Sequence, residues 1–492
     1  MHLKYLVSLF LCLLFIRAYS QDQEKAILST FHSISSHDLL NYAAELSSEK
    51  YKGRLSGSPG YQAAASWVAD QLKQAGVKPG LADGTFFQWF PNAYCDVLTP
   101  GSVTLLAGKD IPEKEYKFPD DYFPGSNSAS GTITGDVVYV GFGISAPELN
   151  YDDYRNIDVK GKIVLMETGV PYNLNDTTLQ KWEPYSYHRY KFQRARELGA
   201  AGLLYVGKIA NPNTSYLEGF VYAHVGEPVA EELFAGTGQK YVETHAAIVK
   251  NIRPNSFLLN KKVRISASTR YFPDSRSCNV IGMIEGSDPI LKNEAIIIGG
   301  HLDAVGSPGC LFPGALDNAS GSADILAAAK ALATSEVKPA RTIIFVFFGG
   351  EECGLYGSEK CVESPVWPKE KVICMINLDM VGNGTGFHLG NGKSFPEILN
   401  HFADANNKYL HRDLKASEDH VSYGRPRTDE AIFKKAGYKT LGLSTSGTVK
   451  PVYYHAPLDN VDALTPEIME EAAKLLYLSV LGLANDRTIE AK

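Results

Sequence analysis

Two histidines and five carboxylates fall just beyond apolar stretches in the carboxy-terminal half of the sequence. His301 and Asp303 follow Ile296-Ile297-Ile298, and Asp317 sits in Gly314-Ala315-Leu316-Asp317-Asn318. Glu351 and Glu352 follow Phe348-Gly349-Gly350, Asp379 follows Asn377-Leu378, and His455 follows Tyr453-Tyr454. Imidazole and carboxylate without thiolate make a borderline nitrogen and oxygen set, suited to zinc or another first-row dication. Five ligands from such a set exceed what one tetrahedral catalytic ion with an open position can use, and match two ions that share a carboxylate. Each residue also has an ordinary explanation. Asp317 could cap the following helix, the glutamate pair could be a solvated turn, and either histidine could be partly buried core. Their conjunction argues for chemistry, because several separate strand ends would each have to offer a ligand by accident. Neighbouring glutamates at a strand end also repel unless a cation compensates them.

The elements that must position these groups are legible downstream of about residue 266. Apolar runs at 295–298, 342–348, 372–378 and 440–443 predict buried strands, and the alanine-rich stretch 325–333 predicts a helix. A further helix is expected to open at Ser394, with Pro396 near its start, and a last one at Thr465-Pro466-Glu467. Runs apolar throughout and separated by helices imply an α/β fold whose mostly parallel sheet is covered on both faces. In such sheets ligands bind past the carboxyl ends of the strands, where the candidate residues stand. Near the amino terminus, Ala64, Val68, Leu72 and Ala75 mark one face of a helix that Gly76 closes. Between these regions, residues 129–265 hold short glycine-bounded apolar runs at 137–140, 162–165 and 203–206, with no His, Asp and Glu cluster at ligand spacing. The expected organisation is a leader over 1–20, a first catalytic part over 21–128, an insert over 129–265 and the main catalytic part over 266–492.

Composition narrows the class. The chain has 492 residues, 44% hydrophobic and 21% charged, which excludes a disordered, collagenous or coiled-coil protein. Its net charge of −7 and lack of a basic block argue against nucleic acid as a partner. Lys4, the apolar run from Leu6 to Ile16 and Ala18-Tyr19-Ser20 read as a signal peptide, too short to span a bilayer. Export to the periplasm or the extracellular space is therefore expected, with no stable membrane insertion after the leader is removed. Cys95, Cys278, Cys310, Cys353, Cys361 and Cys374 remain beyond the leader, and no C-x-x-C pair suggests a thiolate zinc site.

The sequence resembles the two-zinc aminopeptidases of the bacterial leucyl-aminopeptidase type and their relatives, the glutamate carboxypeptidases. The likeness is carried by His301-Leu302-Asp303, Pro313-Gly314-Ala315-Leu316-Asp317-Asn318-Ala319-Ser320-Gly321, Glu351-Glu352-Cys353-Gly354-Leu355-Tyr356-Gly357-Ser358, Asn377-Leu378-Asp379-Met380-Val381-Gly382 and Tyr454-His455. Gly53-Arg54-Leu55-Ser56-Gly57-Ser58 is similar to the family's start, and the Gly-Lys-Ile-Val strand followed by Gly-Ala-Ala-Gly resembles a protease-associated domain. The resemblance implies a zinc exopeptidase fold with a β-rich insert, two Zn2+ per chain and peptide substrates. It assigns His301 and Asp379 to one zinc, Glu352 and His455 to the other, and Asp317 to both. Glu351 would be the general base, Asp303 would bond the far nitrogen of His301, and Tyr454 would donate to the oxyanion.

One departure concerns specificity. Many relatives read Ser-Asp-His ahead of a helix, whereas this chain reads Arg427-Thr428-Asp429-Glu430 with Arg425 two residues earlier. Thr428 could cap that helix, or Arg425 or Arg427 could bind a substrate carboxylate. A glycosylation pattern at Asn318 falls inside the proposed site, where a glycan would obstruct the cleft. The alternatives to an aminopeptidase are a carboxypeptidase or dipeptidase of the same superfamily, a single-zinc glutaminyl cyclase, and a binding protein without catalysis.

Overall fold

The computed structural model describes residues 21–109, 111–172, 180–418 and 426–491. The leader expected over 1–20 and Arg425 lie outside the described residues.

The apolar runs build the centre of a nine-stranded sheet. Thr342–Phe348, Ala295–His301, Val372–Leu378 and Thr440–Ser446 lie side by side in that order, all parallel. The first three are buried at every residue, as strands covered on both faces must be. Alternation divides their side chains between two layers. Ile296 and Ile298 pack with the helices Ser36–Leu46, Pro59–Gln74, Ser320–Thr334 and Pro466–Asn485. Ala295 and Ile297 face Phe433 of the helix Asp429–Lys435. Burying each isoleucine stabilises the layer by about 1.5–3 kcal/mol. Antiparallel strands flank this parallel centre on both sides. Arg276–Ile284 pairs with Thr342–Phe348, and Gly386–Gly390 pairs with Thr440–Ser446.

The helix Pro59–Gln74 begins as the sequence suggests, with the Ser58 hydroxyl accepting the Tyr61 N–H, and Gly76 takes the left-handed conformation beyond its end. Thr428 precedes Asp429–Lys435 but makes no side-chain capping bond.

A second, eight-stranded sheet forms the insert. Its parallel strands Gly131–Tyr139, Ile163–Glu167, Gly202–Val206 and Val221–Val225 contain the three apolar runs, and the helix His188–Glu197 precedes the third. The sheet reaches beyond 129–265 at both ends. Tyr94–Leu105 and Phe257–Phe272 pair antiparallel from Leu105↔Val263 to Tyr94↔Phe272, so the chain enters and leaves the insert side by side. The insert has its own apolar core, which includes Val137, Tyr139, Leu165 and Leu204. All six described cysteines are free. Among the described residues, no helix is long and apolar enough to cross a membrane.

Candidate metal centre

The parallel strands deliver the candidate ligands to one edge. His301 ends its strand, Asp379 follows Leu378, and Glu351 and Glu352 stand beyond Phe348. Asp317 lies in the turn Ala315–Ala319 that enters the helix Ser320–Thr334, and His455 comes from the loop after Thr440–Ser446. Gly314 opens the Asp317 turn at φ 58°, where a Cβ would stand 2.5 Å from the Asp317 carbonyl oxygen and 2.6 Å from the Ala304 methyl. Only glycine fits there.

Ligand atoms converge in three groups, of which two share Asp317: His301, Asp317 and Asp379, and Asp317, Glu352 and His455; the third is His301, Glu351 and Glu352. Within each triad they lie within 4.8 Å of one another. The two oxygens of Asp317 divide between the imidazoles, Oδ1 being 3.2 Å from His301 Nε2 and Oδ2 3.5 Å from His455 Nε2. Asp379 Oδ1 is 3.6 Å from His301 Nε2, and Glu352 Oε2 is 2.9 Å from His455 Nε2. His301, Glu352, Asp317 and His455 are all buried. Yet His455 Nε2 and Glu352 Oε1 have no hydrogen-bond partner, an expensive arrangement for buried polar atoms unless a cation completes it. Both orphaned atoms belong to the Asp317–Glu352–His455 triad, whose thiolate-free nitrogen and oxygen set fits a zinc-like dication.

The electrostatics agree. Burial alone would lower the His455 imidazole, but the Glu352 and Asp317 carboxylates lift it to about 10. The same contest leaves His301 well above its ordinary value through Asp317 and Asp379. Burial would raise Asp317, yet the two imidazoles hold it below the usual carboxylate range. A cluster this acidic binds protons tightly unless another cation replaces them. Glu351, in neither of the two triads that share Asp317, is raised well above its normal value by burial, with Glu352, Asp429 and Asp379 adding to the rise against the pull of His301. Tyr454, half exposed, stacks on the His455 ring at 3.8 Å and 17°, and partial desolvation in the cleft, followed by the surrounding carboxylates, raises the pKa of its hydroxyl.

Asp303 does a different job from the one expected. His301 Nδ1 donates to the Asp303 backbone carbonyl at 3.1 Å, while the carboxylate stands 3.8 Å away. That carboxylate instead accepts the backbone N–H groups of Glu351 at 3.2 Å and Glu352 at 3.3 Å, fixing the turn that carries both. The tautomer of His301 is set all the same, with Nε2 turned to the carboxylates.

Four supporting residues had no assigned role. Arg54, fully buried, donates through Nε to the Leu302 carbonyl at 2.8 Å and through Nη1 to Leu46 at 2.6 Å and Pro313 at 2.8 Å. Its Nη2 donates to the Gly314 carbonyl at 2.8 Å. Asp459 accepts the N–H groups of Leu316 and Asp317 at 2.8 and 3.1 Å. Asn318 donates to the Leu378 carbonyl and accepts from Gly321 and Met380, tying the Asp317 turn to the strand end beside Asp379. Buried in this way, Asn318 has no room for a glycan. Asp429, which reads as a helix-end residue, is 1% exposed, and burial pushes its carboxyl up to about 8. Of the four, only Asp459 lies outside the stretches that the sequence singles out.

The centre opens into a cleft of about 350 Å³. One wall carries Glu351, Glu352, Leu355, Tyr454 and His455, and the other is the insert, with Glu183, His188, Arg189, Asn211 and Asn213. Arg427 also lines it, 3.3 Å from Glu183, so its charge is already met.

Comparison with known proteins places this arrangement. The chain is 25% identical over 351 residues to an aminopeptidase of Pseudomonas aeruginosa, a match that covers 70% of this chain and 57% of that protein. It is 30% identical over 207 residues to a probable leucine aminopeptidase of Arthroderma otae, across 40% of this chain and 57% of the relative. The chain therefore spans little more than half the length of these curated relatives. Its fold is similar to the solved structure of a zinc aminopeptidase from Bacillus subtilis, with TM-score 0.60, 19% identity and coverage of 92% of this chain and 95% of that one. Residues 133–233 match the PA domain, and residues 279–480, which contain all five candidate metal ligands, match Peptidase family M28. The catalytic part of the chain is thus similar to peptidase family M28, and its insert to the PA domain.

Proposed function

We propose that the protein is an exported two-zinc exopeptidase that hydrolyses N-terminal residues from peptides, acting in the periplasm or the extracellular space. The observation that carries the proposal is the pair of ligand triads sharing Asp317, with Glu351 beside them at the cleft. His301, Asp317 and Asp379, with Glu352 and His455, would hold zinc, which would supply Lewis-acid activation of a water and a carbonyl. The chain's own groups do the rest. Glu351, its carboxyl held above its ordinary value by burial, would take the proton of the attacking water and return it to the leaving amine. Tyr454 donates its hydroxyl to the carbonyl oxygen as that atom gains charge. Asp303 keeps Glu351 and Glu352 in place through their backbone amides.

The names of the curated relatives favour the amino-terminal end of the substrate. A carboxypeptidase would need a cation in the cleft for the substrate carboxylate; Arg427 is engaged by Glu183, but Arg189 lines the cleft and, among the described residues, donates only to the Cys353 carbonyl, so the substrate test below decides between the two ends. A single-zinc cyclase would leave the second triad without purpose. A binding protein would have no use for Glu351 among intact ligands. The test is a pair of blocked substrates given to zinc-loaded protein. Acetylating the N-terminus of a peptide should abolish cleavage, and amidating its C-terminus should change the rate little. Efficient removal of the C-terminal residue from an acetylated peptide would overturn the aminopeptidase assignment.

A further inference from the structure

His455 adopts φ 50°, in the left-handed region. A residue with a Cβ stays there only when its surroundings over-determine it. What holds it comes from the insert. His455 Nδ1 donates to the carbonyl of Ala210 at 2.8 Å, and the Ala210 N–H donates back to the His455 carbonyl at 3.1 Å. This reciprocal pair fixes both the backbone and the ring, and leaves Nε2 turned toward Asp317 and Glu352. Ala210 is itself immobilised. It is fully buried against Phe123, Val305 and Phe312, and the next residue, Asn211, donates its N–H to the Ser126 hydroxyl.

A second contact serves the same triad. Arg189, at the start of the helix His188–Glu197, donates through Nη2 to the carbonyl of Cys353 at 2.6 Å, and its guanidinium lies 5.6 Å from the Tyr356 ring centroid. Cys353 directly follows Glu352. The insert thus grips both histidine and glutamate of the Asp317–Glu352–His455 triad, whereas the described contacts of His301 and Asp379 come from the catalytic domain.

We propose that the PA insert is a positioning arm of the metal centre, in which the Ala210 backbone and Arg189 set the metal affinity of the Asp317–Glu352–His455 site selectively. The proposal rests on the metal reading above and adds a role for the insert. Ala210 and Arg189 are positioning residues, acting through His455 and Glu352.

The experiment measures two zinc dissociation constants by chelator competition on the purified full chain, with His455→Ala identifying which constant belongs to the gripped site. Ala210→Pro removes the donor to the His455 carbonyl. Arg189→Ala removes the hold on Cys353, and Arg189→Lys restores part of it. Far-UV circular dichroism checks the fold of each variant. Ala210→Pro and Arg189→Ala should each weaken the gripped site 10–100-fold, the range found for partners of metal-ligating histidines, and leave the other site within threefold. Should Ala210→Pro fail to fold, Arg189→Ala decides alone. Folded variants that keep both constants within threefold would overturn the proposal, and so would equal weakening of both sites, which marks general loosening. A wild-type protein that binds no zinc would overturn the metal reading as well, so the two failures are distinguishable.

Discussion

Replacing Arg54 by Met tests whether the centre is held from beneath by one buried guanidinium. Arg54 makes four hydrogen bonds to carbonyls, two of them in the Pro313-Gly314 segment leading to Asp317 and one on Leu302, between His301 and Asp303. Burial lowers its pKa to about 10, and Asp459, Asp303, Asp317 and Glu352 pull in the other direction, so it is cationic at neutral pH. Hydrogen bonds to a charged group are each worth about 1.5–3 kcal/mol, which would give roughly 6–12 kcal/mol if they added. They do not add, because water entering the space of the shorter reach of methionine satisfies some carbonyls and the desolvation cost of the charge disappears. The expected loss is about 3–5 kcal/mol, the range for breaking a buried charged pair from one side. Lysine can reach some of these carbonyls but cannot offer the planar fork, so Arg54→Lys should fall between methionine and wild type. Urea unfolding at fixed zinc excess, followed by both fluorescence and circular dichroism to test for a single transition, gives the number. A loss below about 1 kcal/mol for Arg54→Met, or a lysine variant as stable as wild type, would refute the reasoning.

Two further outcomes follow from the centre. Glu351→Gln should keep the fold and the metal but lose several orders of magnitude in turnover, whereas Glu352→Gln should weaken metal binding first; steady-state kinetics beside elemental analysis separate them, and the reverse pattern would exchange the two roles. Because the Glu352 and Asp317 carboxylates raise His455 to about 10, a proton must leave it before a metal can bind, so zinc affinity should rise about tenfold per pH unit between pH 6 and 8 for each proton displaced. Competition titrations at pH 6, 7 and 8 measure the slope, and a flat line would show that the imidazole is not protonated beforehand.

His301, Glu352 and Asp379 were legible because each follows a run too apolar to be anything but a buried strand, and parallel strands must deliver such ends to one edge; Asp317 and His455, in a turn and a late loop, carried no such mark. The supports were not legible, since they join residues with no local relation. Nothing near Arg54 announces that its guanidinium will meet carbonyls of Leu46, Leu302, Pro313 and Gly314. Ala210 acts through backbone atoms and so leaves no side-chain signal. The expected bond from the Asp303 carboxylate to His301 gave way to the Asp303 carbonyl, because two residues of chain bring the backbone nearer than the side chain. The insert reads as beginning too late for a similar reason. Tyr94–Leu105 is interrupted by Pro100-Gly101 and buries its residues without alternation, so its membership of a sheet shows only in its pairing with Phe257–Phe272, whose register shifts between Ser266 and Thr269.

The side-by-side entry and exit of the insert also sets an order of events on the ribosome. The edge strand Phe87–Pro91 finds its partner only when Arg276–Ile284 has been made, Pro91 pairing with Arg276. At about 5–20 residues per second, the earlier strand waits roughly 10–40 s, with its ladder groups unpaired, while the insert is synthesised. The insert has a core of its own and can fold during that interval. Once folded, it holds Tyr94 and Phe272 in register with stacked rings 4.7 Å apart, which brings the two halves of the catalytic domain together at the moment the second begins to emerge. Closing that long loop then costs little entropy, because a folded body already spans it.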